Sequence, residues 1–132
     1  MAHFSILSET HTTQSTTDSL FDLMGDFNSF KHLLPEDKIQ DFECTSEQCS
    51  FGINGLMPLT IKIKERLPKS RITFETTGIA KFVFTLHIHF LANQQTNVEL
   101  EGDMNPFIKA MAEKPLRELV NTMASKLAAL TV

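Results

Sequence analysis

From Asn105 onward the chain reads NPFIKAMAEKPLRELVNTMASKLAALTV, and its apolar residues Ile108, Met111, Leu116, Leu119, Val120, Met123, Leu127 and Leu130 recur at helical spacing along one side. A one-sided helix cannot cover its own stripe, so the rest of the chain has to supply a matching apolar surface. Asn105 suits the N-cap and Pro106 the first helical position, where a missing N–H costs nothing. Pro115 lies inside the stripe and predicts a kink or restart near residues 111–114.

The covering surface is written between residues 39 and 103, where the period changes to two. IQDFECTSEQCSFGIN reads as a hairpin whose turn, centred on TSEQ, sets Cys44 opposite Cys49 and Phe42 opposite Phe51 on one face. In LTIKIKERLPKSRITFET, Leu59, Ile61, Ile63 and Leu67 alternate with Thr60, Lys62, Lys64 and Arg66. PKS makes its turn, and Ile72 and Phe74 return on the buried side. In the third hairpin Phe82, Phe84, Leu86, Ile88 and Phe90 form one apolar face, which leaves Val83, Thr85, His87, His89 and Leu91 on the other.

Ahead of these strands, residues 3–13 read as a first strand. Thr16, Thr17 and Asp18 then cap a short helix through Leu20, Phe21 and Met24 that ends at Gly25, and Phe27, Phe30 and Leu33 suggest a second one stopped by Pro35. The expected fold class is α+β: a seven-stranded antiparallel sheet, two short helices after the first strand, and a long C-terminal helix. At 132 residues, with no repeat or linker, residues 1–132 are expected to form a single domain.

A formal charge of −4 gives no basic field for a phosphate backbone, and Lys62, Lys64 and Arg66 are too short a run to reverse it, so nucleic acid is not an expected partner. No apolar run approaches the length of about 18 residues that a membrane span needs, and MAHFSILSETHTTQ lacks the pattern of a secretory signal. A cytoplasmic protein without integral membrane association is expected, with Cys44 and Cys49 as reduced, structural thiols. Oligomeric state is not legible.

Three segments carry a resemblance that spans essentially the whole chain. SLFDLMGDFNSFKHLLP, IKIKERLPKSRITFET and NPFIKAMAEKPLRELVNTMASKL resemble, in order, the helix pair, central hairpin and terminal helix of the START-like, helix-grip superfamily (SRPBCC) of the birch pollen allergen, the polyketide cyclase/dehydratases and the coenzyme Q-binding START proteins. The resemblance implies a curved sheet wrapped around the terminal helix with an elongated apolar cavity between them. It implies no catalytic signature, since fold alone assigns no chemistry. The glycine-rich loop of the pollen-allergen branch has no counterpart, because TSEQ stands in its place.

Two kinds of candidate site follow. Pairing Phe90 with Val98 and Ile88 with Leu100 sets His89 opposite Glu99 and His87 opposite Glu101, which explains their spacing as cross-strand pairs on a wet sheet face. A flat ladder spreads these groups apart, so no metal site is expected. The other candidate is the cavity, whose lining would be Phe51, Ile53, Ile61, Ile63, Phe74, Phe84, Leu86, Ile88, Met111, Leu119, Val120 and Met123. Glu65 shares the register of Ile61 and Ile63; perfect alternation turns its carboxylate inward as a polar anchor, whereas a bulge returns it to water. Leu56 and Met57, in NGLMPL, fall in a loop that could lie over an opening.

The expected function is binding of a small hydrophobic or amphipathic molecule, lipid or isoprenoid-like, with no cofactor and no catalytic residues. Two alternatives stand beside it. A cyclase or dehydratase needs converging acid/base groups, of which only Glu65 is in register; a protein-interaction or chaperone-regulator module would use the outer sheet face or an exposed apolar loop.

Overall fold

The computed structural model describes residues 2–25, 27–33, 39–45, 48–53, 59–76, 83–104 and 106–131. The strands are β1 (Ala2–Leu7), β2 (His11–Thr12), β3 (Ile39–Cys44), β4 (Gln48–Ile53), β5 (Leu59–Leu67), β6 (Arg71–Thr76), β7 (Val83–Leu91) and β8 (Gln95–Met104). The helices are α1 (Thr17–Met24), α2 (Phe27–Phe30), which tightens into a 3-10 turn over Lys31–Leu33, and α3 (Pro106–Ala129). The strands form one antiparallel sheet in the order β1-β8-β7-β6-β5-β4-β3, with β2 also paired to β8. The α+β class is as read from the sequence.

Among the described residues the sheet has eight strands rather than seven, and Ser8 is the reason. The expected strand over residues 3–13 runs along β8 throughout, but its register slips by one residue between the Leu7–Glu99 and His11–Thr96 pairs. At the slip the Ser8 N–H donates to the Val98 carbonyl at 2.9 Å, and the Ser8 hydroxyl accepts the Val98 N–H at 2.8 Å. A side-chain oxygen thus takes the acceptor role of a backbone carbonyl, and the ladder breaks there into β1 and β2.

Thr16 caps α1 by accepting the Ser19 N–H at 3.2 Å, and Gly25 closes it, its N–H donating to the Phe21 carbonyl at 3.1 Å. A side chain at Gly25 would meet the Arg66 Nε at 3.3 Å, because Arg66 Nη2 donates to the Gly25 carbonyl at 2.7 Å. The helix dipole favours this approach of a cation to the helix C-terminus.

Pro106 opens α3 as expected, while Asn105 and Pro35 lie outside the described residues. The expected restart at Pro115 does not occur: α3 runs unbroken from Pro106 to Ala129. Pro115 removes the donor to the Met111 carbonyl, and Met111 is 67% exposed, so water can take the place of that donor. At the other end the Ala128 carbonyl accepts the Gln14 N–H at 2.9 Å and the Leu130 carbonyl accepts the Ser15 hydroxyl at 2.8 Å. These bonds satisfy terminal carbonyls and fix α3 to the segment after β2.

One apolar cluster joins the inner sheet face to the helices. Phe4, Ile6, Phe74, Phe84, Leu86, Ile88, Phe90, Val98 and Leu100 meet Leu20 and Met24 of α1, Phe30, Leu33, and Leu116, Leu119, Val120, Met123, Ala124 and Leu127 of α3. Phe21 meets Phe90 edge to face at 5.6 Å, and Phe30 tilts against Phe74 at 5.2 Å.

Cys44 and Cys49 are directly paired across the first hairpin, as expected, with Cα atoms 4.2 Å apart. They are joined as a disulfide, which corrects the expectation of reduced thiols. Opposed positions on adjacent strands bring the two sulfurs within bonding reach. Phe42 stacks on Phe51 at 6.3 Å, although an irregularity between Gln40 and Glu43 removes the strict register expected for that pair.

Candidate functional site

The inner face collects most of the residues expected to line a cavity. Phe51, Ile61, Phe74, Phe84, Leu86 and Ile88 are buried there, and Leu119, Val120 and Met123 are buried on α3. Ile63 is partly buried and packs at the margin of the cluster. The Ile53 backbone ends β4, but its side chain lies outside the described residues, as do Leu56 and Met57.

Two expected lining residues are elsewhere. Met111 is exposed on the first turns of α3 beside Phe107, which is 77% exposed, because that end of the helix projects beyond the apolar cluster. Glu65 is turned to the outer face by an irregularity in β5: Ile63 pairs with Phe74, but Glu65 pairs with Thr73, so one extra residue, Lys64, inverts the alternation. Its carboxylate meets Arg71 Nη2 at 3.3 Å in a pair that is nearly half exposed. The same inversion carries Leu67 outward and sends Arg66 to α1. Glu65 is therefore not an inner polar anchor.

The inner face holds a different polar group, which the sequence reading missed. Thr96 pairs with Phe90 on one side and His11 on the other, is 0% exposed, and its hydroxyl has no hydrogen-bond partner. An unpartnered buried hydroxyl costs about 1 to 3 kcal/mol. A threonine in the QQTNVEL run looks like an ordinary strand residue, and only the register of β2 against β8 places it over the core.

The α3 backbone lies closest to β8, β1, β2 and the 3-10 turn, whereas α1 lies closest to β6 and β7. The apolar inner face continues past α3 onto β6, β5 and β4, through Phe74, Ile61, Cys49 and Phe51. Phe30 of α2 packs on Phe74 of β6 there.

The outer face carries the histidines. His87 pairs with Glu99 in register and His89 with Asn97, two residues away from the expected pairing, because Leu91 pairs with Gln95 around a tight turn with Asn93 and Gln94 in the left-handed region. The hydrogen bonds nevertheless run to the expected acids along the diagonal: His87 Nε2 to Glu101 Oε1 at 2.9 Å, and His89 Nε2 to Glu99 Oε1 at 3.0 Å. His87 is 8% exposed, and its Nδ1 lies 2.9 Å from the Thr73 hydroxyl. The rings stack at 5.6 Å. Each histidine is tied to its own carboxylate, and among the described residues no group of three or more His, Cys, Asp or Glu is placed to hold a metal ion.

The Glu101 carboxyl is held below its ordinary value, chiefly by the hydrogen bond with His87; burial opposes this, and weaker electrostatic contributions from the His87, His3 and Arg71 side chains add to it. A carboxylate whose pKa is depressed by folding contributes stability above its unfolded pKa and loses it as pH falls through the folded value. The unfolding midpoint of the wild type should therefore exceed that of Glu101→Gln near neutrality. The gap should close as pH drops through and below the carboxylate range. A gap that stays constant on acidification would show that Glu101 acts through shape rather than charge.

No helix among the described residues is long and apolar enough to cross a membrane. No family model matches the chain, and no curated protein does. Solved structures do resemble it. One is an uncharacterized protein from Bacillus thuringiensis, 16% identical, with 90% of this chain and 96% of that one covered and a TM-score of 0.55. Another is the protein XoxI from Bacillus cereus, 13% identical, with 97% of this chain and 94% of that one covered and a TM-score of 0.60. At these identities the likeness establishes a shared fold over nearly the full length of each chain, and nothing about activity.

Proposed function

We propose that the chain is a helix-grip binding module that shelters a small hydrophobic or amphipathic molecule, lipid or isoprenoid-like, between the inner sheet face and α3. The observation that carries this reading is the mismatch in extent between helix and sheet. The α3 backbone stays near β8 and β1, while the apolar face continues across β7, β6, β5 and β4. Phe51, Ile61, Phe74, Phe84 and Leu86 would supply the apolar contact, at about 25 cal/mol for each Å² removed from water. These side chains are buried without a guest, so a guest enters by repacking them. Met24 and Met123, both fully buried against the same cluster, are flexible enough to yield.

Thr96 lies on β8 beneath α3, and its unpartnered hydroxyl would orient a guest long enough to reach that strand from β4–β6. The −4 charge fits a neutral or weakly polar small-molecule partner better than a nucleic acid. No acid/base pair among the described residues faces the inner space, so no observation favours the cyclase reading over binding.

The test is organic extraction of the purified chain followed by mass spectrometry, with an unrelated protein from the same preparation as blank. An apolar compound at near-stoichiometric amount is the expected result. The isosteric change Thr96→Val should then weaken an amphipathic guest about three- to tenfold, the worth of one hydrogen bond, and leave a pure hydrocarbon unaffected. An empty extract, together with no saturable uptake of a fluorescent fatty acid, ends the proposal.

A further inference from the structure

The two edges of the sheet are built differently. At one edge β3 reads IQDFEC, carries Asp41 and Glu43, and has its register interrupted between Gln40 and Glu43. Charges and bulges of this kind keep other strands from adding to an open edge. At the other edge β1 reads AHFSIL, with no Lys, Arg, Asp, Glu or Pro, and pairs with β8 in unbroken register from Ala2 to Leu7. Its guard begins only at the Ser8 slip.

The hydrogen-bond phase says which groups of β1 are open. Ser8 exchanges bonds with Val98, so Ile6 with Leu100 and Phe4 with Gly102 are also bonded pairs. By alternation the N–H and C=O of His3, Ser5 and Leu7 point away from β8, and among the described residues no strand lies on that side.

A cleft of about 510 Å³ opens at the Leu7 end of the same edge and continues past the Ser8 slip to His11. Leu7, Glu9 and His11 form its strand wall, and Arg117, Asn121 and Ser125 form its helix wall. The helix residues are spaced four apart, so they line one face of α3 over about 12 Å. That is the length of three to four residues of an extended chain at about 3.3 Å each. An edge strand with open backbone groups, running beside a helix that walls a groove, is the geometry in which a peptide adds as a further strand. The cleft carries one guanidinium, Arg117 on the helix wall, whose partner within α3 is Glu113 at 3.3 Å in an exposed pair, and one carboxylate, Glu9 on the strand wall. Asn121 and Ser125 are exposed and offer neutral hydrogen-bonding groups.

We propose that the open edge of β1 and the groove between it and α3 bind an extended peptide by strand addition, its backbone pairing with Ser5 and Leu7 and a carboxylate of the peptide meeting Arg117. This site lies outside the apolar interior and is independent of the small-molecule reading.

The experiment is panning of a phage-displayed random dodecapeptide library on the intact chain, followed by affinity measurement with the enriched synthetic peptides. Peptides carrying an Asp, a Glu or a free C-terminus are expected. Ser5→Pro removes an edge N–H that the β8 ladder does not use, and should weaken binding roughly tenfold or more, through one lost bond and the ring's bulk. Arg117→Ala should weaken it about threefold and erase the acidic preference. Amide chemical-shift mapping on the wild type, which does not depend on any variant folding, should place the peptide at residues 3–11 and 117–125. Equal binding to Ser5→Pro in its folded form, shifts confined to another surface, or no enriched peptide would each overturn the proposal. So would a concentration-dependent dimer whose shifts map to β1, which would assign the edge to a second copy instead.

Discussion

Phe74→Ala is expected to destabilise the fold by about 3 to 5 kcal/mol. The ring is fully buried, packs on Phe30 at 5.2 Å, and stands in register between Ile63 and Leu86 at the middle of the inner face. Its removal subtracts the transfer energy of the ring and leaves a void that antiparallel strands pinned on both sides cannot close. Urea unfolding should show a lower midpoint with an unchanged slope, since the surface exposed on unfolding hardly changes. The void would be apolar, so benzene or toluene added to the variant should restore part of the loss. A loss below about 1 kcal/mol would show that the ring contributes little packing, as it would if it bordered open space, and would strengthen the case for a large natural guest.

Pro115→Ala is expected to act in the opposite direction and stabilise by about 1 to 3 kcal/mol. A proline in a helix interior costs around 3 kcal/mol relative to alanine, through the lost N–H and the clash with the preceding turn. Part of that is offset because proline restricts the unfolded chain, an effect of roughly 0.4 to 1 kcal/mol that alanine forfeits. The balance favours alanine because α3 is already continuous through the position and the Met111 carbonyl would regain its helical donor. Thermal and urea unfolding measure it. A destabilised variant would mean that Pro115 itself helps to seat Leu116, Leu119 and Val120 against the sheet.

The β5 strand shows where the sequence leaves two outcomes open. LTIKIKERL alternates cleanly through Ile63; continued alternation would put Glu65 and Leu67 inside, whereas a bulge returns Glu65 to water. A single extra residue at Lys64 reversed the alternation for both residues. The reversal brings Glu65 to Arg71 across the same hairpin, and it brings Arg66 to the Gly25 carbonyl, a contact between segments far apart in the chain. The histidine pairs show the opposite case. The register was off by two residues, yet each histidine found the acid assigned to it, because long side chains reach diagonally across a ladder that has only one apolar side.

The sequence by itself determined the element order after the first strand, the α+β class, the starts of α1 after Thr16 and of α3 at Pro106, the PKS turn and the inward Phe84, Leu86, Ile88 and Phe90 of the third hairpin; Phe82 lies outside the described residues. Each of these depends on a local period or on the backbone chemistry of neighbouring residues. Only the tertiary structure decided the break at Ser8, the outward turn of Glu65, the solitary hydroxyl of Thr96 and the open edge beside α3. These depend on which strand lies next to which and in what phase, and hydrogen-bond phase between distant segments leaves no mark in the spacing of residues along one strand.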